Sequence, residues 1–184
     1  MIRNTRSPSV SHEMALWLLL MRTARVIGRA RERELLGGTV SAQGFAILLT
    51  ILRQGPRATP ASISRETILE PNTISQQLTR MERDGLVNRV KDLERKNLVR
   101  IEVTEKGYQG FVRATGRPIT KTIMSVLSKE EHQTLWSILA KLRSKALSEL
   151  GAKRTAVYPA AGAPRIDGKA RASTGQNAFR GGEL

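Results

Sequence analysis

The sequence of 184 residues contains no cysteine and few aromatic residues, since Phe, Trp and Tyr together make up 4% of it. The absence of cysteine excludes disulfides, thiolate metal sites and cysteine-based redox sensing. Acidic residues are also scarce, because 31 lysines and arginines stand against 16 aspartates and glutamates, which gives a formal net charge of +15. Such a basic chain favours a polyanionic partner, either a nucleic acid or an anionic membrane surface.

A long hydrophobic run is also missing. The apolar run from Met14 to Met21 is bracketed by Glu13 and Arg22 and is far shorter than the roughly 20 residues that a membrane span requires. Arginines follow it directly and a small-residue cleavage site does not, which argues against a signal peptide. We therefore expect a cytoplasmic protein with no membrane partner.

Patterns typical of catalysis are missing as well. His12 and His132 are the only histidines, and they lie near opposite ends of the chain's structured region. Glu130 and Glu131, which adjoin His132, fit better as favourable charges at a helix N-terminus than as metal ligands. The chain has neither a phosphate-binding glycine loop nor a nucleophile elbow. We predict a protein that is not an enzyme and that holds no metal or cofactor.

The most informative segment is residues 71–85. At helical spacing, Ile74, Leu78 and Met81 form one apolar stripe. The opposite side carries amides, hydroxyls and arginines, where an ordinary solvated helix usually carries Glu and Lys. Amides, hydroxyls and arginines are the groups that hydrogen-bond base edges and phosphates in a DNA major groove. Taken alone, the segment also fits a plain amphipathic surface helix.

The flanking segments favour the DNA-binding interpretation. Thr59-Pro60 is a hydroxyl N-cap followed by proline, and Pro71 separates the short helix that it opens from the next one. Two helices with a tight break are typical of a helix-turn-helix. Residues 86–90 and 98–103 alternate apolar and polar side chains on either side of a charged connector, as in a β-hairpin. Residues 37–104 are therefore predicted to form a winged helix-turn-helix with a small β-hairpin wing in a mainly α protein.

Position along these helices predicts which side chains contact DNA. Helix-turn-helix proteins meet base edges near the N-terminus of the recognition helix, which here carries Asn72, Thr73, Ser75, Gln76 and Gln77. Asn and Gln pair with adenine, so an A·T-containing half-site is expected. Contacts to the DNA backbone are expected from the first helix, the end of the recognition helix and the wing connector, namely Thr59, Ser62, Ser64, Arg80, Arg83, Arg95 and Lys96. For Arg83, pairing with an acidic side chain is the alternative.

Helices rich in apolar residues precede and follow this module, within residues 11–36 and 105–150. Their apolar stripes comprise Leu16, Leu20 and Ile27 in the first helix and Leu135, Ile138, Leu139 and Leu142 in the last. This surface exceeds what a small domain covers, so we predict that the two regions pair across a twofold axis as a dimerisation region. Two paired modules would contact half-sites roughly 10 bp apart. A monomer whose two helices pack together is the alternative.

The termini have a different character. Residues 1–10 are predicted to be a flexible basic leader. Residues 151–184 are rich in Ala and Gly, lack periodicity and carry a net charge of +4, which predicts a disordered basic tail. The tail either adds a non-specific grip on DNA or is a solvated extension with no role.

The same residues resemble the MarR family of bacterial transcription regulators over residues 11–150. Residues 80–89, RMERDGLVNR, are similar to the family pattern R-L-E-x-x-G-L-V-x-R, and residues 103–107, VTEKG, are similar to L-T-x-x-G. Asp92 falls at the family's wing aspartate. The wing departs from the family at residues 95–97, where RKN replaces an acidic residue followed by paired arginines. Gln76 stands where many members carry a base-contacting arginine, which suggests an unusual operator.

The resemblance implies a dimeric, ligand- or signal-responsive repressor or activator, and we favour a homodimeric repressor of a pseudo-palindromic operator. Since family members carry arginine at the position of Arg80 whatever their operator, this residue can instead brace the fold. The resemblance also implies a small aromatic effector bound between the DNA-binding module and the dimer helices, here near Trp17, Phe45 or Phe111, although aromatic residues at helical spacing are more often core. An architectural protein that binds DNA without sequence preference and a winged-helix protein-interaction module are the alternatives.

Overall fold

The computed structural model describes residues 10–91 and 98–151, and the fold over these ranges is mainly helical. Residues 1–9, the wing connector with Asp92, Arg95 and Lys96, and the predicted tail from residue 152 lie outside the described residues. In chain order the elements are α1 (His12–Leu35), α2 (Ala42–Gln54), a short 3-10 helix (Gly55–Arg57), α3 (Pro60–Thr67), α4 (Pro71–Arg83), β1 (Val87–Lys91), β2 (Val99–Val103), α5 (Glu105–Thr115), α6 (Ile119–Met124) and α7 (Lys129–Glu149). The predicted fold class, mainly α with a small β-hairpin, is confirmed.

Hydroxyl side chains cap the starts of several helices, among them Thr59, the cap that the sequence analysis predicted. Ser41 Oγ accepts a hydrogen bond from the Gly44 amide at 3.1 Å, at the start of α2. Thr59 and Ser128 each form a reciprocal capping box with the residue three positions later. Each cap satisfies backbone N–H groups that have no partner within the helix.

The turn between α3 and α4 depends on an unusual backbone conformation. Ile68 ends α3 with φ +56°, in the left-handed region, which β-branched residues rarely adopt. Pro71 then occupies the first turn of α4, where its missing N–H leaves no hydrogen bond unmade. Gly85, with φ +72°, follows α4 and turns the chain into β1.

The core lies under α4 and joins it to α2, α3, the wing and α5. Ile74 and Leu78 are completely buried and Met81 is 4% exposed, so the predicted apolar stripe of α4 faces inward. The same cluster includes Ile47, Leu48, Ile51, Ala58, Ile63, Leu86, Val87, Ile101 and Phe111. Phe111 belongs to α5, so this helix packs with the winged helix, although the predicted dimerisation region began at residue 105.

The wing is a two-stranded antiparallel sheet in which Val87 pairs with Val103 and Lys91 pairs with Val99. The Ile101 amide donates to the Ala58 carbonyl at 2.9 Å, which attaches β2 to the segment before α3. At the other end the Thr104 amide donates to the Leu86 carbonyl at 3.1 Å. Because the Leu86 amide also donates to the Met81 carbonyl at 2.8 Å, the hairpin is attached to the end of α4 as well as to the segment before α3.

Two glycines of α5 are required by close packing rather than by backbone conformation. A Cβ atom at Gly107 would lie 2.0 Å from the Leu86 carbonyl oxygen, and one at Gly110 would lie 2.7 Å from Val40 Cγ2. Glycine is a weak helix former, but here the missing side chains let α5 lie directly against the base of the wing and the segment that precedes α2.

The outer helices leave much apolar surface uncovered. In α1, Leu16, Trp17 and Leu19 are each more than 50% exposed. In α7, Ile138 is 48% exposed and Leu142 is 50% exposed. Within the described ranges α1 packs on α2 and α6, whereas α7 makes no extensive contact with another element. None of the helices in these ranges combines the length and apolarity that a bilayer crossing requires.

We predict that Gly107→Ala lowers the free energy of unfolding by at least about 2 kcal/mol, because the new methyl group overlaps a backbone carbonyl that cannot rotate away. Gly28→Ala is the matched control. A Cβ at Gly28 meets nothing within 4 Å, so alanine there raises helix stability by about 0.5–1 kcal/mol. Chemical unfolding at one fixed protein concentration measures both effects. Equal stabilities for the two variants would contradict the packing argument.

Candidate nucleic-acid interface and ligand cleft

The polar face of α4 points into solvent because its apolar stripe is locked in the core. Among the predicted base-contacting residues, Asn72, Ser75 and Gln76 are exposed, whereas Thr73 and Gln77 are half-buried. The first turn carries no acidic residue, and Arg80 and Arg83 lie in the last turn. These residues form a continuous surface of amides, hydroxyls and guanidinium groups, which we call the α4 polar face.

The hydroxyls of α3 have partners inside the protein. Ser62 Oγ donates to Gln54 Oε1 at 2.6 Å and accepts from the Thr59 amide at 2.8 Å. Thr59 Oγ1 accepts from the Ser62 amide at 3.1 Å, and Ser64 Oγ donates to the Leu69 carbonyl at 2.6 Å. Thr59, Ser62 and Ser64 were predicted to contact the DNA backbone. Their hydroxyl groups already form hydrogen bonds within the protein, at the start and end of α3.

An ion pair that the sequence analysis missed fastens α2 to α3. Arg53 Nη1 lies 2.7 Å from Glu66 Oε1, and Gln54 Nε2 donates to Glu66 Oε2, also at 2.7 Å. Both charged side chains are less than 20% exposed. Since Glu66 accepts from both neighbours, it fixes the angle at which α3 meets α2.

Arg89 of the wing is held against α4. Its guanidinium lies 3.3 Å from Glu82 Oε2 and donates to Thr79 Oγ1 at 3.0 Å. Arg83 Nε lies 3.3 Å from Asp84 Oδ1, which matches the predicted acidic partner, but both side chains are more than half exposed. An exposed pair of this kind contributes about 0–1 kcal/mol, so Arg83 can exchange Asp84 for a phosphate.

A cleft of about 610 Å³ lies at the junction of α1, α2, α6 and α7. Phe45 and Met124 provide apolar walls, and the polar lining includes three cations, Arg31, Arg117 and Lys121, together with hydroxyl side chains and His132. Among the described residues that line the cleft none is acidic. Elsewhere in the described ranges, no three His, Asp or Glu side chains come close enough to hold a metal ion.

His132 also lines this cleft. Its Nε2 atom lies 2.8 Å from the Met124 carbonyl oxygen, which joins the first turn of α7 to the end of α6. The nearby Glu130 carboxylate has a lowered pKa, because it accepts hydrogen bonds from a backbone N–H and from the Ser128 hydroxyl. Glu130 therefore stays ionised as part of the N-terminal cap of α7.

The three aromatic residues predicted for an effector pocket occupy different environments. Phe45 lines the cleft. Phe111 is 3% exposed and stacks on Phe45, with ring centroids 5.0 Å apart and an interplanar angle of 8°. Trp17 lies in a separate shallow depression near the start of α1, beside Met14. The structure thus brings Phe45 and Phe111 together and leaves Trp17 apart from them.

Arg31 and Glu34 connect the cleft to three helices besides their own. Arg31 Nη1 lies 2.6 Å from Glu34 Oε2, and Arg31 Nη2 donates to the Ala114 carbonyl at 2.6 Å. The Arg31 guanidinium also lies over the Phe45 ring, 5.1 Å from its centroid. Glu34 Oε1 accepts from the Ile119 amide at 2.7 Å. This pair, which sequence reasoning did not identify, joins α1 to α2, to the end of α5 and to the start of α6.

An exposed polar helix, preceded by a short helix and followed by a hairpin tied to its base, defines a winged helix-turn-helix of the DNA-binding type. The MarR family profile matches residues 40–100, which run from just before α2 to the second residue of β2. The regulator PecS of Dickeya dadantii is 27% identical over 144 residues, covering 76% of this chain and 87% of PecS. The chain belongs to the MarR family of transcription regulators, and the predicted family membership is confirmed.

Solved structures extend the similarity beyond the winged helix. The organohalide-sensing regulator RdhR, solved with 2,4-dichlorophenol bound, is 30% identical and superposes with a TM-score of 0.73. The match covers 86% of this chain and 99% of RdhR. MepR of S. aureus, solved in complex with DNA, has 20% identity, a TM-score of 0.63 and coverage of 70% of this chain and 96% of MepR, so it supports the fold alone.

We predict that Ser62→Ala lowers the free energy of unfolding by about 1–2 kcal/mol, because it removes a capping box and takes away the hydrogen bonds that Ser62 Oγ makes to Gln54 Oε1 and to the Thr59 amide. Ser75→Ala, on the exposed face of α4, is the control and should change stability by less than about 0.5 kcal/mol. Thermal unfolding without DNA separates the two variants. An unchanged midpoint for Ser62→Ala would show that its hydroxyl has no structural role.

Proposed function

We propose that this protein is a homodimeric transcription repressor, acting in the cytoplasm, that inserts α4 into the major groove of a pseudo-palindromic operator. The observation that carries the proposal is the α4 polar face, which is exposed, has no acidic residue in its first turn and lies on a rigid core. A net charge of +15 adds long-range attraction for DNA. Repression follows if the operator overlaps a promoter, because the bound dimer then occludes RNA polymerase.

Sequence preference is assigned to the N-terminal half of α4. The proposed base contacts come from Asn72, Thr73, Ser75, Gln76 and Gln77, with adenine as the expected partner of the amides. The proposed backbone contacts come from Arg80, Arg83 and the α3 hydroxyls of Thr59, Ser62 and Ser64, and from Arg95 and Lys96 of the wing. Because the α3 hydroxyls already form internal hydrogen bonds, we expect the arginines to make the stronger contacts with the DNA backbone.

Dimerisation through α1 and α7 is supported by the apolar surface that the protomer leaves exposed. Leu16 of α1 is 56% exposed, and Leu139 and Leu142 of α7 are 39% and 50% exposed. Exposed leucines in such numbers on one protein are typical of an interaction surface. We propose that Leu16, Leu20, Ile27, Leu135, Ile138, Leu139 and Leu142 pair with a second copy and set the distance between the two α4 helices.

An effector site in the cleft beside Phe45 is supported by its position and by one relative. The cleft lies between the winged helix and the outer helices, so a bound molecule can change their relative orientation. RdhR, at 30% identity, was solved with 2,4-dichlorophenol bound. We propose that this protein also responds to a small aromatic compound, which stacks near Phe45 and lowers the affinity for the operator.

The high positive charge also fits a second function, that of an architectural protein that coats DNA without sequence preference. Such binding depends almost wholly on phosphate contacts and is lost steeply as salt increases. A repressor keeps a large sequence-specific component at physiological salt. The same footprinting experiment therefore distinguishes the two functions.

Footprinting on the DNA upstream of the protein's own gene, at about 150 mM salt, tests the repressor function. We expect a protected inverted repeat, and we expect Gln76→Ala to weaken binding about 10-fold, because one bidentate base contact contributes about 1–3 kcal/mol. The affinity lost on this substitution should depend on the base pair at one position of each half-site.

Gln109→Ala is the matched control, since Gln109 is an exposed amide on α5 that donates to Glu105 at 2.9 Å, away from the α4 polar face. It should leave the footprint unchanged. Uniform protection of all DNA, or binding that Gln76→Ala does not affect, would favour the architectural function.

We expect Leu142→Asp to convert the dimer into monomers, because a charge replaces an apolar side chain at two symmetry-related places in the interface. Each lost leucine contact is worth about 1.5–3 kcal/mol, so the dimer dissociation constant should rise at least about 100-fold. Val112→Asp is the control, since Val112 is also 50% exposed but lies on α5. Sedimentation velocity over a range of concentrations measures the change, and a dimeric Leu142→Asp protein would contradict the proposed interface.

A further inference from the structure

Glu82 is the one acidic residue of α4, the helix that the proposed function places against DNA. A carboxylate without a partner at that position would repel the phosphates of the duplex. In the structure Glu82 Oε2 lies 3.3 Å from Arg89 Nε, and the two side chains are 41% and 36% exposed. The pair is therefore accessible from solvent, and Arg89 balances the negative charge that α4 carries.

Arg89 also contacts α4 at a second point. Its Nη2 atom donates to Thr79 Oγ1 at 3.0 Å. Thr79 is exposed, and it follows Gln76 by three residues and precedes Arg83 by four, so all three lie on the same side of α4. Arg89 itself is the middle residue of β1. Its guanidinium group therefore lies where the wing meets the exposed side of α4.

We propose that Arg89 binds a DNA phosphate at the junction of α4 and the wing, and that Glu82 is the positioning residue that holds the guanidinium group there. The inference rests on the proposed operator-binding function and adds a contact that orients α4 in the groove. If α4 occupies the major groove and the wing lies over the flanking backbone, the DNA strand between them passes this junction. Phosphate contacts carry no base information, but they set the register of a recognition helix.

The geometry suits an arginine that binds the protein and a phosphate at the same time. A guanidinium group is a planar fork with five N–H donors, and the contacts with Glu82 and Thr79 involve Nε and Nη2. Nη1 can thus donate to a phosphate oxygen without displacing either contact. A side chain that is already held in place also loses less conformational entropy when it binds.

Glu82 consequently has two opposing effects on DNA binding. Its charge repels phosphates and weakens binding, whereas its contact with Arg89 orients the guanidinium group and strengthens binding. The second effect is larger when Arg89 is present, and only the repulsion remains when Arg89 is absent. The effect of Glu82→Gln on operator affinity must therefore change sign when Arg89 is removed. A carboxylate that acted through its charge alone would weaken binding in both cases.

The experiment compares the full-length wild type with Glu82→Gln, Arg89→Gln and the double variant. Fluorescence anisotropy with the footprinted operator, at about 100 to 300 mM salt, measures the affinity and its salt dependence. We expect Arg89→Gln to weaken binding about 10-fold. The slope of the logarithm of the binding constant against the logarithm of the salt concentration should also become smaller by about 1 for each bound protomer.

We expect Glu82→Gln to weaken operator binding about 5-fold, although it removes a negative charge, because Arg89 is no longer oriented. In the protein that carries Arg89→Gln, the same substitution should strengthen binding about 2-fold. Arg89→Lys keeps the positive charge but lacks the planar fork, so it should keep the salt dependence of the wild type and bind less tightly.

Glu32→Gln and Arg113→Gln are the matched controls, since both residues are exposed on other helices, α1 and α5. They change the net charge as Glu82→Gln and Arg89→Gln do, and each should change operator affinity by less than about 2-fold. Thermal unfolding without DNA should shift by less than about 3 °C in every variant, because an exposed ion pair contributes little to stability.

Two outcomes would overturn the proposal. A salt dependence that Arg89→Gln leaves unchanged would remove the phosphate contact, and tighter binding by Glu82→Gln with and without Arg89 would remove the positioning role. If the wild type binds the operator and a scrambled duplex equally, the repressor function fails. The salt dependence of Arg89→Gln on the scrambled duplex still decides whether Arg89 binds a phosphate.

Discussion

The contact between Leu86 and the first turn of α5 is the constraint on which the DNA-binding module depends. The Leu86 carbonyl accepts from the Thr104 amide, and Thr104 Oγ1 donates to the neighbouring Gly85 carbonyl at 2.7 Å. Gly107 lies so close to the same carbonyl that no side chain fits between them. The base of the wing, the end of α4 and the start of α5 are therefore fixed at one point, and the orientation of α4 is fixed with them.

Much of this fold could be predicted because its signals are local. Hydroxyl caps at Ser41, Thr59 and Ser128 mark helix starts by satisfying nearby amides. The spacing of Ile74, Leu78 and Met81 identifies the buried face of α4, and alternation identifies the hairpin. Close packing of Gly107 and the place of Phe111 in the winged-helix core were not predicted, since they depend on which distant segment faces α5.

The candidate site likewise has one part that could be predicted from the sequence and one part that could not. The α4 polar face could be predicted, because the polar side of a helix follows from its apolar side. The pair of Arg31 with Glu34 could not, because its partners Ala114 and Ile119 lie more than 80 residues away in sequence. Nothing in the spacing of Arg31 and Glu34 separates them from the many exposed charges of α1. Trp17 stood out as an aromatic residue, but its place along α1 puts it far from Phe45.

The left-handed conformation of Ile68 ties the geometry of the turn to the stability of the whole domain. A β-branched residue does not choose this conformation by itself, so the angle between α3 and α4 is maintained by the burial of Ile63 and Ile74 on either side. The turn consequently has no stable existence apart from the core. Loss of burial at Ile63 or Ile74 would therefore act on the turn, and with it on the position of α4, as well as on the stability of the domain.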